Sequence, residues 1–149
     1  MPSLFEPSRR DEIVHRLEKL PPGAPRQWGK MSAGQMLAHC SIALEAGTGD
    51  APRRQALIGK ILAPFVKRTI LSEKPFSRNS PTDPTFVIRD DRSFEEEKKR
   101  LLGTISRFCE AGPQKASEQT HSFLGRLTGE EWGTTMYKHL DHHLRQFGG

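Results

Sequence analysis

Apolar positions recur at helical spacing along most of the chain, and polar capping signals punctuate them. In "SRRDEIVHRLEKL", Ile13, Val14, Leu17 and Leu20 form one stripe, which predicts a helix over residues 8–20 with Ser8 as its N-cap. Pro21, Pro22 and Gly23 stop it. Ser32, with Gln35 three residues on, is a capping box for a second helix running to about Ala46, where Gly47 or Gly49 ends it. Met36, Cys40, Ala43 and Leu44 make its inward face, and His39 falls on or beside that face.

Residues 53–71 carry Ile58, Ile61, Leu62, Phe65, Val66 and Ile70 among basic residues, which predicts a basic amphipathic helix with Pro64 as a kink. A connection from Ser72 to Arg92 follows, with Pro75, Pro81 and Pro84, and "TFVIR" (85–89) reads as a short extended piece. Ser93 and Glu96 open another helix, ending near Cys109 before Gly112 and Pro113, with Phe94, Leu101, Ile105 and Phe108 inward. Residues 113–128 read as loop. Thr128 and Glu131 then cap a last helix over residues 129–147. Strands are nearly absent. The pattern predicts one all-α domain over residues 1–149. Its architecture is a four-helix bundle with a long crossover that holds an extra basic helix and a Pro-rich loop.

Composition narrows the classes without naming a function. A chain of 149 residues suits one domain with a sizeable core. The formal charge of +5 permits contact with nucleic acid or an anionic surface but does not demand it, and no aromatic stacking series accompanies the basic residues, so nucleic acid is not the expected partner. Cys40 and Cys109 cannot build a disulfide framework and are expected as small apolar residues. The first residues lack the apolar core of a signal peptide, and no apolar run is long enough to span a bilayer, so a cytoplasmic location is expected.

The chemistry lies in the histidines. Of six, three fall in "YKHLDHHLRQF", residues 137–147. At ~100° per residue, with His139 at zero, His143 lies at ~40° and Trp132, Met136 and Leu140 lie between ~20° and ~100°. His139 and His143 therefore share the apolar face one turn apart, while His142 lies at ~−60° and belongs with Gln146 at the rim. Neutral imidazole suits Zn, Ni, Cu or Fe, and a catalytic centre needs a third protein ligand, for which His39 is the best candidate. The competing reading is that these histidines are satisfied by core hydrogen bonds. "HLDHH" has the histidine spacing of a zinc protease motif, but Leu140 stands where the glutamate base would be. His121 precedes the last helix and reads as a mouth residue: a fourth ligand, an outer partner of the ligands, or, like His142, a proton relay. His15 is expected at the surface.

Three stretches carry a resemblance: "WGKMSAGQMLAHC", "KPFSRNSPTDPTFVI" and "HSFLGRLTGEEWG…YKHLDHHLRQF". In these the chain resembles the DinB-like (YfiT-like) superfamily, in its branch described as a domain of unknown function. The resemblance implies a four-helix bundle, a homodimer, and a divalent-metal site (Zn, Ni or Fe) at His39, His139 and His143. It also implies, from some relatives, a thiol S-transferase or isomerase activity that uses a low-molecular-weight thiol. Where relatives often have His-Pro, this chain has His121-Ser122, which loosens the turn and weakens any role carried over to His121.

Two functional classes stand side by side. One is a metal-dependent enzyme, a thiol S-transferase or a hydrolase, acting on a small molecule. The other is a non-catalytic binding or stress-response module in which the histidine triad is structural. In it the basic stretch Arg53, Arg54, Lys60, Lys67 and Arg68 meets a membrane surface, nucleic acid or a partner helix, or merely covers the bundle with snorkelling stems.

Overall fold

Three serine and threonine caps set the helix starts. In the computed structural model, which describes residues 1–78, 80 and 83–149, Ser32, Ser93 and Thr128 each accept a hydrogen bond from the backbone three residues on, and the boxes at Ser32 and Thr128 are reciprocal. The described residues form helices α1 (Pro7–Lys19), α2 (Ala33–Thr48), α3 (Leu57–Ile70), α4 (Phe94–Ser117) and α5 (Gly129–Gln146). A 3-10 turn (Pro84–Phe86) and a two-stranded antiparallel ribbon, β1 (Thr120–His121) with β2 (Gly125–Arg126), complete them.

α1, α2, α4 and α5 feed one core. Trp132, Phe108, Met36, Leu44, Leu101, Ile105 and Leu140 are fully buried within it, and Phe5 stacks on Phe108 at 4.8 Å. α2 packs mainly along α4, where Arg100 reaches Glu45 at 3.0 Å. α1 is tied to α5 by Arg16–Asp141 (2.9 Å) and by the Tyr137 hydroxyl donating to Glu12 (3.1 Å).

α3 adds Ala63 to that core and packs Leu62, Val66 and Ile70 half-buried against it. Its N-terminal approach is pinned to the ribbon loop, where the Ala56 amide donates to Ser122 O (2.7 Å) and Gln55 Nε2 to Phe123 O (2.9 Å). Its C-terminal end is held by Lys138 of α5, whose ammonium donates to Ile70 O and to Ser72 O (2.7 Å). A cation on the last carbonyls of a helix also faces the negative end of its dipole.

Several sequence expectations shift. α1 is capped at Glu6 with Pro7 in its first turn, not at Ser8, because proline supplies the helical φ without needing a donor. α3 begins at Leu57, and Pro64 sits inside it without ending it. "TFVIR" is not a strand: the Asp83 carboxylate accepts from the Thr85 amide (2.9 Å) and hydroxyl (2.8 Å) and winds a 3-10 turn. The helix that was to end near Cys109 does break at Gly112 (φ 85°), a conformation that favours glycine, but the chain resumes helical turns to Ser117. Residues 120–126, expected as loop, make the ribbon. Pro81 of the crossover lies outside the described residues.

Candidate metal centre

α5 places His139 and His143 one turn apart with ring centroids separated by 4.7 Å. His39 arrives from α2 at 4.9 Å from His139 and 4.7 Å from His143, so the three rings form a near-equilateral triangle. One nitrogen from each lies within 4.8 Å of the others, and the three could hold a metal ion. Among the described residues this is the group of metal-ligating side chains close enough to do so. Tetrahedral ligands at ~2.1 Å from an ion stand ~3.4 Å apart, so a small adjustment suffices, in which the His39–His139 nitrogens at 3.0 Å open slightly and wider separations close.

The partners of the rings decide which nitrogens face inward. His39 Nδ1 lies 2.9 Å from Phe86 O, an acceptor, so Nδ1 carries the proton and Nε2 keeps its lone pair. The Asp83-wound turn is what presents that carbonyl. His143 Nδ1 lies 2.8 Å from Gln146 Oε1, and Gln146 Nε2 donates in turn to Trp28 O (2.9 Å). This chain of contacts leaves His143 Nε2 as a second lone pair. Gly29 permits it, since a Cβ there would stand 2.5 Å from Gln146 Nε2.

His139 is the variable member. Its Nε2 lies 3.0 Å from His39 Nε2, so without an ion His139 must donate there. Its Nδ1 is then buried with no partner. Thr135, one turn earlier on the same helix, likewise holds a buried hydroxyl without a partner. Two lone pairs turned inward beside a third neutral ring fit a cation at the centre. Burial lowers the pKa of all three rings and drops His143 to about 3; neighbouring imidazoles reinforce it at His139 and His143, while the bond to Phe86 O opposes it at His39. They stay neutral, as ligands must.

The triad forms part of the wall of a cavity of about 460 Å³. Its other walls are mostly apolar, from Trp28, Phe65, Ile70, Phe76, Phe123 and Met136. Arg78 brings a cation, its guanidinium 4.5 Å from the Trp28 ring centroid.

The other histidines fall outside the triad. His142 is half-buried between Trp28 (5.4 Å) and Phe76 (6.0 Å) at the cavity wall. His121 lies on β1 rather than in a loop, against Trp132 at 5.3 Å, and lines the same cavity. Its Nδ1 accepts from the amides of Phe123 (3.1 Å) and Leu124 (3.0 Å), and desolvation pushes its pKa down to about 4. His15 is exposed, as its position on α1 implies. Gln146, placed at the rim by helical spacing, is instead buried and orients His143. Cys40 is buried and its thiol is pushed up by burial, so it is no nucleophile. Sequence reasoning did not find Lys138, Arg78 or the Phe86 carbonyl. Only the lysine had a signal, a cation on an otherwise buried helix face.

The model of a family described as a protein of unknown function (DUF1569) matches residues 5–148. No curated protein and no solved structure matches the chain.

Proposed function

The chain belongs to the DUF1569 family, and from that premise we propose that it is a divalent-metal protein of the DinB-like four-helix-bundle kind. His39, His139 and His143 would hold the ion. The cavity beside them takes a small-molecule substrate. The observation that carries this reading is the pair of outward anchors, Phe86 O on His39 and Gln146 on His143, which turn both Nε2 lone pairs to one point. A bound Zn, Ni or Fe ion would act there as a Lewis acid and ease deprotonation of a water or a low-molecular-weight thiol, the chemistry of a hydrolase or a thiol S-transferase.

The chain's own residues do the rest. Trp28, Phe76 and Met136 exclude water from the reacting end of the substrate. Arg78 faces an anionic group on it. His142 and His121 line the same cavity, each ring kept neutral by desolvation; His142 can take up a proton from a group beside it, whereas His121, whose Nδ1 already accepts from two amides, can only donate through its other nitrogen.

Metal analysis of tag-free protein tests the reading. About one equivalent of a transition metal is expected in the wild type and less than a tenth of that in His39→Ala and His139→Ala. Equal metal content in all three proteins would sink it.

A second reading has its own support. The His39–His139 contact at 3.0 Å already joins α2 to α5 without an ion, which suits a non-catalytic module with a structural triad. A thermal midpoint lowered by His39→Ala in the presence of chelator, while no thiol transfer or hydrolysis is found in the wild type, would favour it.

A further inference from the structure

α3 carries two faces, and one of them has nothing against it. Gly59 and Ala63 are buried and Leu62, Val66 and Ile70 half-buried, all turned towards the molecule. On the opposite side Leu57, Ile58, Ile61 and Phe65 are 74%, 49%, 58% and 78% exposed. These four account for most of the exposed large apolar residues in the described chain. Scattered apolar residues at a surface mean little, but four along one helix ridge are a patch.

The charge is concentrated in the same place. Residues 51–72 hold five of the 23 lysines and arginines and none of the 18 acidic residues, so the other 18 cations balance the carboxylates and the whole formal charge of +5 belongs to this segment. Two of the five are engaged, Arg53 over the Phe86 ring (4.7 Å) and Lys67 with Glu131 (3.5 Å). No ion pair among the described residues holds Arg54, Lys60 or Arg68, and all three are exposed.

We propose that the outer face of α3 docks the protein on an anionic lipid surface, with Leu57, Ile58, Ile61 and Phe65 entering the interface and Arg54, Lys60 and Arg68 meeting the headgroups. Charge complementarity selects the occupant. A second copy would bring the same uncompensated cations against these, whereas anionic headgroups neutralise them. The shape agrees, because the apolar residues make a convex ridge, which a fluid interface accepts without a matching groove. No helix among the described residues is long and apolar enough to cross a membrane, and the contact proposed is a peripheral one.

The orientation has a consequence for the cavity. Phe65 belongs to the ridge and also lines the cavity, together with Val66, Thr69 and Ile70 of the same helix. Docking by this face sets the cavity mouth at the lipid surface, where an amphipathic substrate would enter from the interface. The docking itself stands whether or not the triad holds a metal.

Vesicle co-sedimentation of the full chain tests it, with phosphatidylcholine vesicles that contain or lack phosphatidylglycerol. Partition onto the anionic vesicles is expected to be at least tenfold stronger and to fall as salt is raised. Ile58→Asp with Ile61→Asp should cut it at least tenfold. Lys60→Glu with Arg68→Glu should do the same, since each cation near an anionic surface strengthens binding roughly fivefold. Unchanged circular dichroism confirms the fold of each variant, and if the apolar variant misfolds the charge variant decides. Equal binding to both vesicle types, or binding indifferent to these substitutions, overturns the proposal. So does the absence of binding at low salt. If the unbound chain is then a dimer that Ile58→Asp with Ile61→Asp dissolves, the face is a self-association surface instead.

Discussion

The α2–α5 wall and α3 enclose the same cavity by opposite means. On the first, His39 and His143 are buried; His39 is tied through Nδ1 to Phe86 O from a distant part of the chain, and His143 through Nδ1 to Gln146, which the distant Trp28 O holds in turn. On the second, a helix is fastened at its two ends, by Ser122 O and by Lys138, while its outer apolar row stays in solvent. One side is built to keep a constellation in place. The other is built to meet something. Rigidity follows from anchoring each polar atom; availability follows from leaving apolar area uncovered.

The largest expected break in that contrast is in stability. Phe108→Ala, in the core that backs the triad wall, should cost about 3–5 kcal/mol in denaturant unfolding. Phe65→Ala, on the α3 ridge, should stay within about 0.5 kcal/mol. Comparable losses from both would mean that α3 is buried in solution.

Acid should strike the histidine side next. His121 is held neutral with its pKa near 4, well below the usual 6.5, so the unfolded chain binds more protons between those values. Stability is therefore present above about pH 6.5 and is lost as the pH falls towards 4, by about 2–3 kcal/mol for this group once the solvent that still reaches the ring is allowed for. Thermal midpoints in chelator should fall between pH 7 and 5, and less steeply in His121→Asn, whose amide oxygen can still accept the Phe123 and Leu124 amides.

The smallest effect is the sharpest. Gln146→Leu removes the acceptor that orients His143, and metal affinity should drop about 10- to 100-fold with the fold intact. An unchanged affinity by competition titration would show that the ring is oriented by packing alone.

These contrasts track what a reader of the sequence can see. Ser32, Ser93 and Thr128 announce their helices because capping is settled within four residues. The His139–His143 pair is legible for the same reason, since an i,i+4 relation is built into the helix. Pairing it with His39 followed from both lying on inward faces, and the rings do meet. The same periodicity misplaced Gln146, because helical angle says which side a residue is on and not whether another segment covers it. Here the stretch around Trp28 covers it.

α3 shows the limit most clearly. Its amphipathic pattern was plain, but the pattern holds two apolar arcs, and nothing local says which arc finds a partner. The tertiary structure decided that Gly59, Ala63 and Val66 face inward and that the Leu57–Phe65 row does not. The sequence by itself determined where the main helices lie, the caps at Ser32, Ser93 and Thr128 and the inward histidine pair, because each depends on neighbours a turn apart. Only the tertiary structure chose the Phe86 carbonyl, the Gln146–Trp28 clamp and the uncovered ridge. These depend on contacts between segments far apart in the chain, and burial between such segments has no local code.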